Sequence, residues 1–149
     1  RHLGCAPLSG DTLRLDVSTA FGGLTHLGFD ETGCSIGHHL LDAETFRTEI
    51  GDFGIARRES ETSYHLAVVV DDAAQQITHV VRGEDLFEAT KIHILLQRLL
   101  GLPTPIYHHH RLIRDDQGKR LAKRDDARAL AKYRAEGATP EDIRRMVRL

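Results

Sequence analysis

SYHLAVVVDDAAQQITHVVRGEDL, residues 63–86, is the stretch on which the fold turns. Two apolar, β-branched runs, YHLAVVV (64–70) and ITHVVR (77–82), flank the polar segment DDAAQQ (71–76). A continuous run such as AVVV is expected of a strand covered on both faces, as in the parallel sheet of an α/β protein. Gly83 then permits a turn, and Asp85 is expected to cap a helix, with Glu88 reaching back as in a capping box. Within that helix Ile92, Leu95, Leu96, Leu99 and Leu100 recur at three- and four-residue spacing and predict one apolar stripe. Gly101 and Pro103 stop it.

Outward from this centre the pattern continues. IYHHHRLI (106–113) predicts a short strand, and DDQGK (115–119) a turn with Gly118 at its tight point. One helix is expected from about Asp126 to Glu136, ending at Gly137. A second starts with Thr139 as N-cap, Pro140 at the first helical position and Asp142 near the cap. Upstream, TLRLDV (12–17) alternates like a half-buried strand, DFGIARR (52–58) reads as another, and residues 22–48 as loops and short strands. The fold class is α/β: strand, turn, strand, helix, strand, then a basic loop and a helical tail.

Composition bounds what such a chain can be. Its 149 residues are 40% hydrophobic and 28% charged, as in a globular protein. No stretch approaches the roughly 18 apolar residues of a membrane span, so no membrane partner is expected. Cys5 and Cys34 form no CxxC pair, which argues against a disulfide scaffold and predicts a reducing, cytoplasmic setting. The net charge of −2 conceals a polarity. Residues 1–110 carry 8 basic and 15 acidic side chains (−7), whereas residues 111–149 carry 12 and 7 (+5). A basic tail suits contact with polyphosphate or nucleic acid, although a solvated helical face has the same composition.

Several side chains are candidates for chemistry. Arg82 follows a β-branched run before a Gly turn, where α/β sheets present ligand groups, and its planar fork can pair two-pronged with a carboxylate. A surface arginine paired with Glu84 or Asp85 is the competing reading. Tyr64 can offer its hydroxyl to a ligand or serve as a tyrosine at the core edge. His108, His109 and His110 invite a metal, but adjacent strand residues point to opposite faces, leaving only His108 and His110 to share an ion. Ser35-Ile36-Gly37-His38 imitates a phosphate-holding HIGH signature, which opens a helix after a strand, but lacks the preceding strand and is expected to be a decoy.

Three segments in order, SYHLAVVVDD (63–72), ITHVVRGEDL (77–86) and GKRLAKR (118–124), resemble the second half of the catalytic domain of glutamyl-tRNA synthetases. GKRLAKR stands where that class keeps its KMSKS signature, here Arg120-Leu121-Ala122-Lys123-Arg124. The likeness covers residues 52–149 well and 1–51 loosely. Only 25 residues follow Arg124, and this short ending resembles the glutamyl-Q tRNA(Asp) synthetases, which have no anticodon-binding domain.

The resemblance implies the second half of a class I Rossmann-type catalytic domain with a short helical C-terminal appendage. Residues 1–51 would be a remnant of an inserted acceptor or zinc region, 52–110 the Rossmann half, and 111–149 the KMSKS-type loop and terminal helices. The chain would lack the HIGH half. The implied activity is ATP-dependent activation of glutamate and its transfer to queuosine of tRNA(Asp), with Mg2+ accompanying ATP and a monomeric enzyme. Structural Zn2+ would belong to the missing part, with Cys5 as a remnant of that site. By the same resemblance Tyr64 and Arg82 contact glutamate, and Lys123, Leu121, His109 and Asp85 the ATP. Lys123 would stabilise the departing pyrophosphate, and Ala122 replaces the usual serine and its hydroxyl. A piece of a full-length enzyme charging tRNA(Glu), or a non-catalytic tRNA-binding module, are the alternatives.

Overall fold

Ser63 does locally what the β-branched run after it conceals: its hydroxyl accepts the Leu66 N–H at 3.2 Å and starts a helix, α3 (Tyr64–Ala74). The strand expected over 64–70 is therefore the first part of an eleven-residue helix. β-branched residues lose only a few tenths of a kcal/mol each in a helix, and a side-chain cap worth about 1 kcal/mol together with tertiary packing outweighs that. Val69 is buried, whereas Tyr64 and Val70 are exposed.

The computed structural model describes residues 12–24, 27–56, 62–114, 117–118, 120 and 129–147. They fall into two compact units, residues 1–110 and 111–149. In the first, α3 is preceded by β1 (Leu13–Leu15), α1 (Val17–Ala20), β2 (Gly28–Glu31), β3 (Gly37–Leu40), α2 (Ala43–Glu49) and β4 (Phe53–Ala56). After it come β5 (His79–Gly83), a 3-10 turn (Glu84–Leu86), α4 (Phe87–Leu100) and β6 (Ile106–His110). A four-stranded sheet runs in the order β3-β2-β6-β5, parallel across β2, β6 and β5, with β3 antiparallel. The register sets Arg82 opposite His109 and Val80 opposite Tyr107. β1 and β4 form a separate antiparallel ribbon.

The α4 helix departs from expectation at its start and on its face. Gly83 and Leu86 stand at the caps without side-chain bonds, and Asp85 lies inside the 3-10 turn, so the Asp85–Glu88 capping box does not form. Glu88 pairs instead with Lys91 at 2.7 Å. The buried face is Thr90, His93, Ile94 and Gln97, with Leu95 and Leu96 beside it. Leu99 and Leu100 are 41% and 49% exposed, so the predicted leucine stripe is only partly the one that packs. Three polar residues on the buried side hid that face from apolar periodicity. Gly101 ends the helix as expected, in the left-handed conformation at φ 66°.

Below the sheet and helices the core gathers Phe29, Val69, Ile94, Leu95, Leu96 and Tyr107, with Val17, Phe21, Phe46 and Phe53 continuing it. Past β2 the chain stays on β6: Thr32 donates its N–H to the Tyr107 carbonyl at 3.0 Å, and Cys34 to that of His109 at 2.8 Å. Gly33 lies between them so closely against β6 that an added Cβ would collide with the His109 backbone.

In the second unit Arg114 and Arg120 form an antiparallel bridge, with Gly118 at φ 78° between them. Two helices follow, α5 (Leu130–Ala135) and α6 (Pro140–Val147). Residues 126–128 of the expected first helix lie outside the described residues. The start of α6 is as predicted: the Thr139 hydroxyl accepts the Asp142 N–H at 3.2 Å, and the Asp142 carboxylate accepts the Thr139 N–H at 2.9 Å.

Candidate functional site

Arg82, one residue before the end of β5, turns its guanidinium between the sheet and α4. Its Nε donates to His109 Nε2 at 3.0 Å and Nη1 to His93 Nδ1 at 3.2 Å. Nη2 donates to the Thr90 hydroxyl at 2.6 Å and the Leu86 carbonyl at 3.3 Å. The Tyr107 ring lies 5.3 Å beneath the guanidinium carbon, in cation–π range. The competing reading, a surface pairing with Glu84 or Asp85, gives way to contacts with β6, α4 and the Leu86 carbonyl. Four of the five guanidinium N–H groups are engaged among the described residues. One Nη1 hydrogen remains, so a carboxylate ligand would meet one donor and the guanidinium charge rather than the two-pronged fork.

The donor pattern fixes the neighbouring histidines. Because Arg82 can only donate, His109 Nε2 and His93 Nδ1 both accept, placing the ring protons on His109 Nδ1 and His93 Nε2. His109 Nδ1 then donates to Glu31 Oε2 at 2.6 Å, and His93 Nε2 to His65 Nδ1 at 3.0 Å. Glu31 completes its shell with the N–H groups of His109 (2.9 Å) and Gly33 (2.6 Å) on Oε1. Burial pushes the Glu31 carboxyl up, but the hydrogen bonds from His109 and Gly33 outweigh it and leave the group below the usual carboxylate range. Burial, reinforced by the charge of Arg82, lowers His93 to about 3.

Tyr64, the first residue of α3, is 55% exposed, its ring edge-on to His93 at 6.0 Å between centroids. Tyr64, His93 and Arg82 therefore form one continuous surface-to-interior path. His109 is wholly enclosed and has both ring nitrogens bonded, so the ATP contact expected of it has no exposed atom to use. Asp85 is exposed in the 3-10 turn. Arg120 lies in the bridge with Arg114, and Leu121, Ala122, Lys123 and Arg124 lie outside the described residues, as does Cys5. Ile36 is 81% exposed and Gly37 and His38 open β3, so Ser35–His38 runs into a strand and not a phosphate-holding helix.

Glu31, Thr90 and His93 are the site residues that sequence reading missed. Thr90 and His93 were detectable as a polar pair at three-residue spacing on the apolar α4, whereas nothing in the sequence around Glu31 marks its partner. Among the described residues no three His, Cys, Asp or Glu side chains are grouped to hold a metal. The histidines of β6 instead alternate, His109 inward and His108 toward Thr32, whose hydroxyl is 3.0 Å from its Nδ1. Among the same residues no helix is long and apolar enough to cross a membrane.

An arginine held at the C-terminal end of a parallel strand, beside a helix N-terminus, is where α/β folds bind ligands. Residues 42–149 match the family described as tRNA synthetases class I (E and Q), catalytic domain, and the chain belongs to that family. Among curated relatives, a glutamyl-Q tRNA(Asp) synthetase of Rhodobacter capsulatus is 64% identical over 92% of this chain and 48% of its own length. That of Janthinobacterium sp. is 51% identical over 87% of the chain and 43% of its own length. The chain spans about half the length of these relatives. A solved structure of a glutamate-tRNA synthetase from Elizabethkingia anophelis superposes with a TM-score of 0.53 at 29% identity, over 67% of this chain and 19% of that one. The resemblance read from the three motifs and the class I α/β fold are both borne out.

Proposed function

We propose that this chain is the amino-acid-side half of a synthetase that activates glutamate with ATP and transfers it to queuosine of tRNA(Asp). Arg82 carries the reading: a cation fixed from three sides, with no acidic hydrogen-bond partner among the described residues and one N–H left for a carboxylate. The names of these relatives support the substrate and the acceptor.

In the activation step a glutamate carboxylate oxygen bonds to the α-phosphorus of ATP, and the bond to pyrophosphate breaks. Arg82 would hold the substrate by charge and one hydrogen bond, while the exposed Tyr64 would close the pocket with its ring and hydroxyl. Lys123, with Arg120 and Arg124, would neutralise charge developing on pyrophosphate. Leu121 and Asp85 would border the nucleotide. The described residues offer no protein-held Mg2+ or Zn2+ set, and Mg2+ arriving on ATP phosphates requires few protein ligands. The accepting hydroxyl would then displace AMP from the adenylate.

Pyrophosphate exchange by the intact gene product should require glutamate and fall at least tenfold in both Arg82→Ala and Lys123→Ala. Exchange unchanged in either variant removes that residue from the site. The residue 1–149 chain by itself should exchange only at background. A second reading, charging of tRNA(Glu), has the likeness to glutamate-tRNA synthetases in its favour. Charging assays with queuosine-containing tRNA(Asp), unmodified tRNA(Asp) and tRNA(Glu) separate the two. Salt-sensitive tRNA binding without activation by the intact product would instead indicate a non-catalytic module.

A further inference from the structure

We infer that Glu31 is a positioning residue for Arg82, acting through His109 by dictating which ring nitrogen carries the proton. The inference rests on the reading above that Arg82 meets the substrate, and it adds a residue from β2 that touches neither substrate nor Arg82.

His109 can serve Arg82 only as an acceptor, because the guanidinium has nothing but donors. An imidazole left to choose would hold its single proton on either nitrogen, and protonation at Nε2 would set two donors 3.0 Å apart. Glu31 removes the choice. One oxygen accepts from His109 Nδ1 at 2.6 Å, and the other from the backbone N–H of the same residue at 2.9 Å. The ring is thereby held in angle and in tautomer, with its Nε2 lone pair aimed at Arg82. The Gly33 N–H, at 2.6 Å, fixes the carboxylate itself. The hydrogen bonds that keep this carboxyl below its usual range keep it an acceptor throughout the neutral range. Both side chains are fully enclosed, so water cannot substitute for either bond. Thr90 stands at the end of the relay, its hydroxyl 3.1 Å from His109 Nε2 and accepting from Arg82 Nη2 at 2.6 Å.

Glu31→Gln separates this role from packing, since it is isosteric and keeps an oxygen for the two backbone N–H groups. Its amide presents a donor to His109 Nδ1, driving the proton to Nε2, where it opposes the Arg82 Nε–H. Long-range 1H–15N spectra of the 15N-labelled chain should show wild-type His109 protonated at Nδ1 alone and the variant at Nε2. The Arg82 Nε–H of the variant should exchange faster with solvent. In the intact gene product the dissociation constant for L-glutamate should rise at least tenfold. Wild-type His109 protonated at Nε2, or a tautomer unchanged in Glu31→Gln, overturns the inference, as does loss of the Nδ1 proton in Arg82→Ala, where Glu31 alone selects the tautomer. Arg82→Ala isolates the underlying reading: glutamate affinity unchanged there overturns substrate contact by Arg82, whatever the histidine spectra show.

Discussion

Glu31 accepts from both the backbone N–H and the ring Nδ1–H of His109, a residue 78 positions further along the chain. This pair joins β2 to β6 at the point where β6 packs against Arg82, making a buried hydrogen-bonded contact also a register lock. Gly33 belongs to the same arrangement. A Cβ there would lie 2.8 Å from the His109 N and carbonyl C and still nearer its O. Gly33→Ala should lower stability by about 1–3 kcal/mol, because rigid backbone must shift to admit the methyl group. Urea unfolding would measure it, and a midpoint unchanged from wild type would contradict the close packing.

His93 sets a pH window. It is neutral in the fold, with its pKa lowered from 6.5 to about 3 by burial and by Arg82, while in the unfolded chain it titrates near 6.5. Between these values the unfolded state binds the extra proton. Stability is therefore full above about pH 6.5 and declines as pH falls toward 3, by up to about 1.4 kcal/mol per pH unit. Glu31, lowered in the fold, adds a loss of the same sign at lower pH, through the carboxylate range. His93→Gln should flatten the slope between pH 6.5 and 5, where carboxylates scarcely titrate. An equal slope in both proteins would exclude His93 as its source.

Arg82→Lys keeps the charge but not the geometry. A lysine has three donors on one atom and cannot serve His109, His93 and Thr90 in their present directions. With at least one buried acceptor left unpaired, the variant should lose about 1–3 kcal/mol of stability and bind glutamate more weakly. Thermal melts and glutamate titration test both, and wild-type values in each would show that charge alone suffices.

The helical tail offers a local test. Thr139 and Asp142 satisfy each other's N–H groups at the start of α6, with a further 2.6 Å bond from the Thr139 hydroxyl to the Asp142 carboxylate. Thr139→Ala should weaken α6 by about 1 kcal/mol. Faster hydrogen exchange at the Ile143 amide, which donates to the Thr139 carbonyl at 3.2 Å, is the expected sign. Unaltered exchange would show that other contacts hold the helix.

Much of this organisation was readable from residue patterns where the signal is local. Thr139-Pro140 marks a helix start and Gly101 a helix end, and both stand where expected because caps are decided within a few residues. β4, β5 and β6 follow their short apolar runs. YHLAVVV misled because a short apolar run fits a strand or a packed helix equally, and only Ser63 and the length of the segment decide. The buried face of α4 was obscured because Thr90, His93 and Gln97 find their hydrogen-bond partners on other elements. Arg82 and Tyr64 are candidates only through the motifs that contain them, and the structure adds their link through His93. Glu31 was not legible, because its meaning depends on a β2–β6 pairing that neither strand's sequence expresses. The same tertiary enclosure buries His109 against Arg82 and leaves its ring no exposed atom.

The most direct test of the account is ATP–pyrophosphate exchange by the intact gene product, measured with glutamate, glutamine and aspartate, in wild type and Arg82→Ala. The account predicts exchange with glutamate alone and a loss of at least tenfold in the variant while its circular dichroism is preserved. Full glutamate-dependent exchange in folded Arg82→Ala would contradict it.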